Sequence, residues 1–345
     1  MDFVRSLRTH RGTAILQAIL VTVLWSSSYI LIKIGLVELP PLTFASLRYF
    51  LAFLTLVTFQ RLRRGETVPK RPTPRHWGAL VGLGLTLYAL VPASMFLALS
   101  LLPVVTVNLV FQAGIPILVA LLSGILLAEP TSRLQWGGVL LTVIGIYLFF
   151  PARPEGAEVT GIALAAVTAA GVAASNLLTR FLMRDRTLSA PQVSMISMGI
   201  GSSLLLVISL ASETWPSFSW TSVLILAWLA LVNTALAFTL WNRVLRTLTA
   251  LEGGVIANAQ IVEVAIMAWI ILGERMELPR ILAALLILAG VTLVQARASI
   301  GAGGVPRDRR VDGQPLMPIR IMPTQSSPGP DPTSFVPLYR AQVLY

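Results

Sequence analysis

The sequence predicts an all-α integral membrane fold: ten transmembrane helices arranged as two inverted five-helix repeats. Three observations lead there. Of 345 residues, 55% are hydrophobic and only 12% charged, about half the charge of a soluble domain, and the mean hydropathy is +0.79. The apolar residues gather in ten runs near the length a helix needs to cross a bilayer core of roughly 30 Å. A pattern in the first half of the chain then returns in the second.

The ten runs lie at about 13–36, 42–60, 77–99, 103–127, 135–151, 160–182, 191–212, 221–242, 250–272 and 280–297. The first follows the basic stretch Arg5-Ser6-Leu7-Arg8-Thr9-His10-Arg11 and continues to Leu36. That exceeds the roughly 7–15 apolar residues of a secretory signal, so it reads as an uncleaved span. With the N-terminus in the cytosol, the inside segments hold nearly all of the 26 Lys and Arg. The outside loops hold only Arg153, Arg275 and Arg280, the last two offset by Glu274 and Glu277. Both ends are therefore expected in the cytosol. Residues 1–12 form the cytosolic N-terminus, and 298–345, rich in Pro, Gly and Arg, form a tail expected to be disordered. Arg far outnumbers Lys and no organelle signal stands out, an association that suggests a bacterial inner membrane.

A net charge of +11 would point a soluble protein toward nucleic acid. Here the charge sits between apolar runs and no basic patch interleaved with aromatics exists, so no nucleic-acid partner is expected. There is no cysteine, hence no disulfide framework, thiolate metal site or thiol nucleophile. His10 and His76 lie at predicted helix ends among arginines and read as interfacial residues. No Gly-rich phosphate loop with its lysine is present, so no ATPase is built in. No metal and no cofactor are expected, and an enzyme is disfavoured.

The repeat spans 13–151 and 160–297. Leu101-Leu102-Pro103 through Gln112-Ala113-Gly114-Ile115-Pro116 to Ala128-Glu129 is followed by Trp136-Gly137-Gly138 and Gly145. Its counterpart runs from Leu248-Thr249-Ala250 through Asn258-Ala259-Gln260-Ile261 to Gly273-Glu274, followed by Gly290. Glu129 matches Glu274 and Gly145 matches Gly290 at one shared interval. Five spans is an odd number, so the two halves enter the membrane from opposite sides. Inverted repeats underlie alternating access in many secondary transporters, although duplication also builds channels and scaffolds.

Several motifs resemble the EamA family of the drug/metabolite transporter superfamily, over most of 13–297. Leu24-Trp25-Ser26-Ser27-Ser28-Tyr29 running to Lys33-Ile34-Gly35 resembles that family's first helix. Leu39-Pro40-Pro41, Phe44-Ala45 and Arg48 resemble its second, and Leu272-Gly273-Glu274-Arg275 its repeated helix ending in Gly-Glu. The resemblance implies ten helices around a central cavity, usually serving export of amino acids or related metabolites. Two positions depart from it. Ile261 stands where the family usually places a proline, and Gly-Glu has become Ala128-Glu129 in the first half. Without that proline the ninth helix is expected to be straighter than the fourth.

Charged groups inside a bilayer cost roughly 2.5–3.5 kcal/mol each on insertion scales, so each needs a reason. Lys33, near the end of the first span, can snorkel. Arg48 reads equally as a structural pairing and as a substrate contact. Glu263, mid-way along the ninth span, is the candidate coupling group, because a buried carboxylate can exchange protons or hold a cation; a structural carboxylate is the alternative. Asn108 and Gln112, four apart on one face, and Gln260, three before Glu263, are candidate substrate contacts. Asn176 is another, while Asn233 and Asn242 read equally as inter-helix bonds and Asn258 points away. Trp25, Tyr29, Tyr88 and Trp241 are candidate aromatic walls. Pro92 and Pro116 read as bends, and Gly161, Ala165, Ala169 and Ala173 as a packing stripe. The expected ligand is a small metabolite such as an amino acid or related amine. A sugar-phosphate or nucleotide-sugar carrier would ask for a cluster of cavity cations, and a channel or scramblase only for a polar path.

Overall fold

The computed structural model describes residues 2–62, 72–126, 132–150, 154–184, 188–248 and 250–302. Among the described residues every regular element is a helix, and the helices occupy all ten apolar runs. They are α1 Asp2–Gly35, α2 Pro41–Leu62, α3 Pro74–Leu101, α4 Val104–Leu126 and α5 Arg133–Phe149. The second set is α6 Ala157–Arg184, α7 Ala190–Ser212, α8 at 220–247, α9 at 250–272 and α10 Leu278–Ala302.

Seven of these are long and apolar enough to cross a membrane on length and composition alone: α1, α2, α3, α6, α7, α9 and α10. The apolar parts of α4, α5 and α8 are shorter, at Val104–Leu118, Arg133–Phe149 and Trp220–Leu236. The ends differ from expectation in two places. α1 starts at Asp2, so the basic segment 1–12 continues the first helix and is no separate strand of chain. α10 runs on to Ala302, past the boundary drawn at 297. Helical hydrogen bonding is satisfied within the segment and does not stop where apolar side chains do. Most of the predicted tail, and Ala128-Glu129, lie outside the described residues.

Among the described residues three helices widen to π geometry, α3 over Thr86–Leu90 and α8 over Leu231–Leu236 midway, and α9 at its end over Ala268–Leu272. The interval from Thr86 to Leu231 is the interval from Glu129 to Glu274, so the third helix of each predicted repeat is distorted at the same position. In α3 the widening runs directly into Pro92, which lacks an N–H and whose ring crowds the preceding turn.

The irregularity in α9 is not where the proline pattern alone would put it. α4 runs through Pro116 without interruption, whereas α9 breaks at Ala259, between Ala250–Asn258 and Gln260–Met267. There Ala259 N–H turns back to Ile256 O at 3.0 Å and Val262 N–H to Ala259 O at 2.9 Å, a tightened three-residue spacing. Gly253 and Gly254 weaken the turn before it, so the helix breaks without a proline.

Packing is set by small residues. On α5, a Cβ at Gly138 would lie 2.8 Å from Gly290 O and from Val294 N on α10. Gly84 of α3 likewise meets Ser197 O of α7 at 2.7 Å. The stripe Gly161, Ala165, Ala169 and Ala173 buries itself: a Cβ on Gly114 of α4 would be 2.8 Å from Ala169, and all three alanines are fully enclosed. Backbone approach of this kind favours small side chains between apolar helices.

One end of the bundle is tied by side chains that cap helix ends. Glu213, after α7, accepts from Leu42 N at 3.0 Å and Thr43 N at 2.7 Å at the start of α2. Glu274, after α9, accepts from Val104 N at 2.9 Å at the start of α4. Gly273, at φ +71°, supplies the left-handed turn that ends α9 and releases Glu274 toward α4. Glu38 accepts from Ser219 and Ser222 at the start of α8. Each carboxylate satisfies N–H or O–H donors at the positive end of a helix.

Candidate functional site

The site is built on one face of α1. Thr22, Ser26, Tyr29 and Lys33 are spaced four, three and four residues apart, which places them in one stripe. Against its first two members lies Glu263 of α9. One carboxylate oxygen accepts from Thr22 Oγ1 at 2.8 Å and the other from Ser26 Oγ at 2.8 Å. Both donors are fully buried and Glu263 is half-buried. The break at Ala259 puts Glu263 in the first turn of the resumed helix, with Gln260, buried, at its first position.

One turn further along α1, Tyr29 is buried beside Asn108 of α4 and Arg48 of α2. Asn108 is 1% exposed, yet neither its Nδ2 nor its Oδ1 makes a well-formed hydrogen bond. Arg48 is 8% exposed and its Nε is unpaired. No carboxylate among the described residues forms an ion pair with it. Its guanidinium lies 5.5 Å from the centre of the Tyr49 ring, which stands 6.1 Å from Tyr88. Tyr88, in the widened turn of α3, is hydrogen-bonded to Ser194 of α7.

The aromatic residues divide. Trp25 packs against Trp241 at 5.1 Å and Phe238 at 5.6 Å, joining α1 to α8. Tyr29 and Tyr88 belong to the group around Arg48. Gln112 is half-buried one turn beyond Asn108, whereas Asn176 is exposed on α6 and is not enclosed with the others. Asn233 is fully buried and donates to Leu24 O at 2.6 Å and Ser28 Oγ at 2.7 Å, an inter-helix bond. Asn258 turns to α10, donating to Gln295 Oε1 at 2.9 Å. The side chain of Asn242 lies outside the described residues. Lys33 is committed elsewhere, donating to Leu99 O at 2.6 Å and Leu102 O at 2.8 Å at the end of α3.

The hydroxyls of Thr22 and Ser26 were not among the residues singled out from the sequence, nor was Tyr49. A signal for the first two was present: small hydroxyl residues one turn apart, in register with Tyr29 and Lys33, inside an apolar run. Among the described residues no three His, Cys, Asp or Glu side chains gather as a metal site. An apolar cleft of about 470 Å³ lies between α9 and α10, lined by Ile266, Trp269, Ile281 and Leu285, but excludes Glu263. Chemically, the α1 face offers an acid with two hydroxyl donors at one level, and at the next a buried cation beside an amide and a phenol.

The family comparison agrees with this architecture. A model of the EamA-like transporter family matches residues 12–150 and again 159–295. A probable amino-acid metabolite efflux pump of Salmonella typhimurium is 26% identical over 289 residues, covering 79% of this chain and 92% of that protein. Its namesake from Escherichia coli is 27% identical over 243 residues, covering 66% and 76%. A solved crystal structure superposes with a TM-score of 0.59 at 22% identity, over 84% of this chain and 99% of that one, a likeness of fold. With a family match over both halves and apolar helices throughout, the chain is a multi-pass membrane protein that belongs to the EamA-like transporter family.

Proposed function

We propose that this chain exports small, amino-acid-like metabolites by alternating access, with Glu263 as the group that takes up a proton or a substrate ammonium. One observation carries the reading: a carboxylate midway along an apolar helix, its two oxygens held only by Thr22 and Ser26 of another helix. In the charged state those bonds clamp α1 to α9. A proton, or an ammonium group drawn to the carboxylate, competes for the same oxygens and loosens the clamp. The break at Ala259, one turn away, lets the second part of α9 move without its first part.

The family match to each half of the chain supports a motion of one half against the other. The widened turns of α3 and α8 recur at the repeat interval, and paired distortions of this kind serve as hinges for two halves that rock against each other. The distribution of Lys and Arg supports cytosolic termini, and the excess of Arg over Lys is associated with a bacterial inner membrane. On that orientation, the end tied by Glu38, Glu213 and Glu274 is the outer end. The names of the two efflux pumps support the substrate class and the direction. A sugar-phosphate carrier is disfavoured: Lys33 is occupied by α3 carbonyls, which leaves Arg48 without a second cation.

The test is flux into and out of vesicles holding the purified protein, with labelled amino acids and amines and an imposed pH gradient. Gradient-driven flux that Glu263→Gln abolishes supports the reading. Flux that survives the substitution returns Glu263 to a structural role, and no flux above empty vesicles removes the carrier reading.

A further inference from the structure

We propose that Arg48, Asn108 and Tyr29 form a carboxylate subsite, so that the ligand is a zwitterion laid along α1 between this subsite and Glu263. The inference deepens the transport reading by naming the chemistry of the substrate, and it rests on that reading only for what happens to the ligand after it binds.

Arg48 is the starting point. A buried guanidinium in an apolar bundle needs a partner, and here its Nε has none and no described carboxylate pairs with it. Asn108, 1% exposed, reaches the Tyr29 phenol, but neither of its amide atoms makes a geometrically good hydrogen bond, although buried amides are nearly always satisfied. The remaining polar neighbours are phenols: Tyr29, buried against both, and Tyr49, over which the guanidinium lies at 5.5 Å. Every one of these groups can donate. A guanidinium edge, an amide N–H and a phenol O–H, brought together from three helices, are the donors a carboxylate accepts from.

The second end of the ligand follows from α1. Ser26, bonded to Glu263, and Tyr29, beside Arg48, are three residues apart, on the order of 5 Å along the helix. Two α1 residues about one turn apart, one bonded to Glu263 and one beside Arg48, suit an α-amino acid held by its ammonium at Glu263 and its carboxylate at Arg48. An amine lacking the carboxylate would satisfy one end only.

The experiment follows thermal unfolding of the full-length protein in detergent, with sodium acetate as the carboxylate probe and sodium chloride at equal ionic strength as the control. Acetate raises the unfolding midpoint of the wild type more than chloride does. Arg48→Gln loses that response while its ligand-free midpoint stays level or rises, because an unpaired buried charge has gone. Where Arg48→Gln does not fold, Asn108→Leu serves, needing on the order of tenfold more acetate for the same shift. The inference is overturned if acetate shifts the wild type no more than chloride, or if Arg48→Gln responds to acetate as the wild type does. In vesicles, the amide of any carried amino acid fails to compete with the free acid; equal competition by the amide also overturns it. An acetate response without flux keeps the subsite and removes the carrier, whereas flux without an acetate response removes the subsite alone.

Discussion

Ser26 of α1 donates to Glu263 of α9 across 2.8 Å, and that bond joins two helices whose residues stand 237 positions apart. Thr22, one turn earlier, holds the other carboxylate oxygen at the same distance. Each bond to a charged acceptor is worth roughly 1.5 kcal/mol, or on the order of tenfold in an equilibrium. Thr22→Val combined with Ser26→Ala is therefore expected to reduce gradient-driven flux as strongly as Glu263→Gln. Flux of the double variant at wild-type rates would sink the clamp.

Lys33 gives the opposite expectation. Its ammonium satisfies Leu99 O and Leu102 O at the end of α3, a helix-capping role. Lys33→Met should lower unfolding stability by about 1 kcal/mol and leave the substrate KM unchanged. A raised KM with unaltered stability would place Lys33 in the substrate path instead.

Glu38 carries a pH dependence. The hydroxyls of Ser219 and Ser222 hold its carboxyl below the usual carboxylate range. The unfolded chain then binds the proton before the folded one does, so stability rises with pH across that interval. The contribution is complete at neutral pH and is lost as the pH falls through the depressed folded value. Unfolding midpoints of wild type and Glu38→Gln should differ at neutral pH and converge on acidification. A difference that persists in acid would show that Glu38 acts through packing and not through its charge.

The α5–α10 contact has no room for a side chain at Gly138, where a Cβ would meet backbone atoms of Gly290 and Val294 at 2.8 Å. Backbone cannot rotate away, so Gly138→Leu must push the helices apart, at a cost of about 1–3 kcal/mol. Gly137, whose Cβ would meet nothing within 4 Å, is the control, and Gly137→Leu should unfold like the wild type. Leu is the better helix former at both positions, so equal losses for both would mean that close packing at Gly138 does not decide the effect.

Much of the fold was legible along the chain. Every helix falls on an apolar run, and the widening in α3 and α8 recurs at the interval that separates Glu129 from Glu274. The expectation of a straighter α9 treated proline as the one source of helix irregularity. Pro116 leaves α4 uninterrupted, while two glycines and a tightened turn at Ala259 interrupt α9. A backbone break depends on local hydrogen bonding as well as on a missing donor.

The candidate site was legible only in part. Glu263, Tyr29 and Asn108 stand out because polar groups are rare in apolar runs, and rarity needs no coordinates. Asn176 stood out for the same reason and lies exposed. Serine and threonine are common in apolar helices, where they bond their own backbone, so Thr22 and Ser26 carried no such mark until Glu263 was seen between them.

The sequence by itself determined the solvent, the helical positions and the internal repeat, because a bilayer imposes length, hydropathy and charge placement on each helix separately. Which polar group meets which was decided only by the tertiary structure. The partners of Glu263, the isolation of Arg48 and the commitment of Lys33 to α3 depend on how faces of distant helices are turned toward one another. That rotation is set by contacts such as Gly138 with Gly290 and Gly84 with Ser197, and the period of a single helix does not contain it.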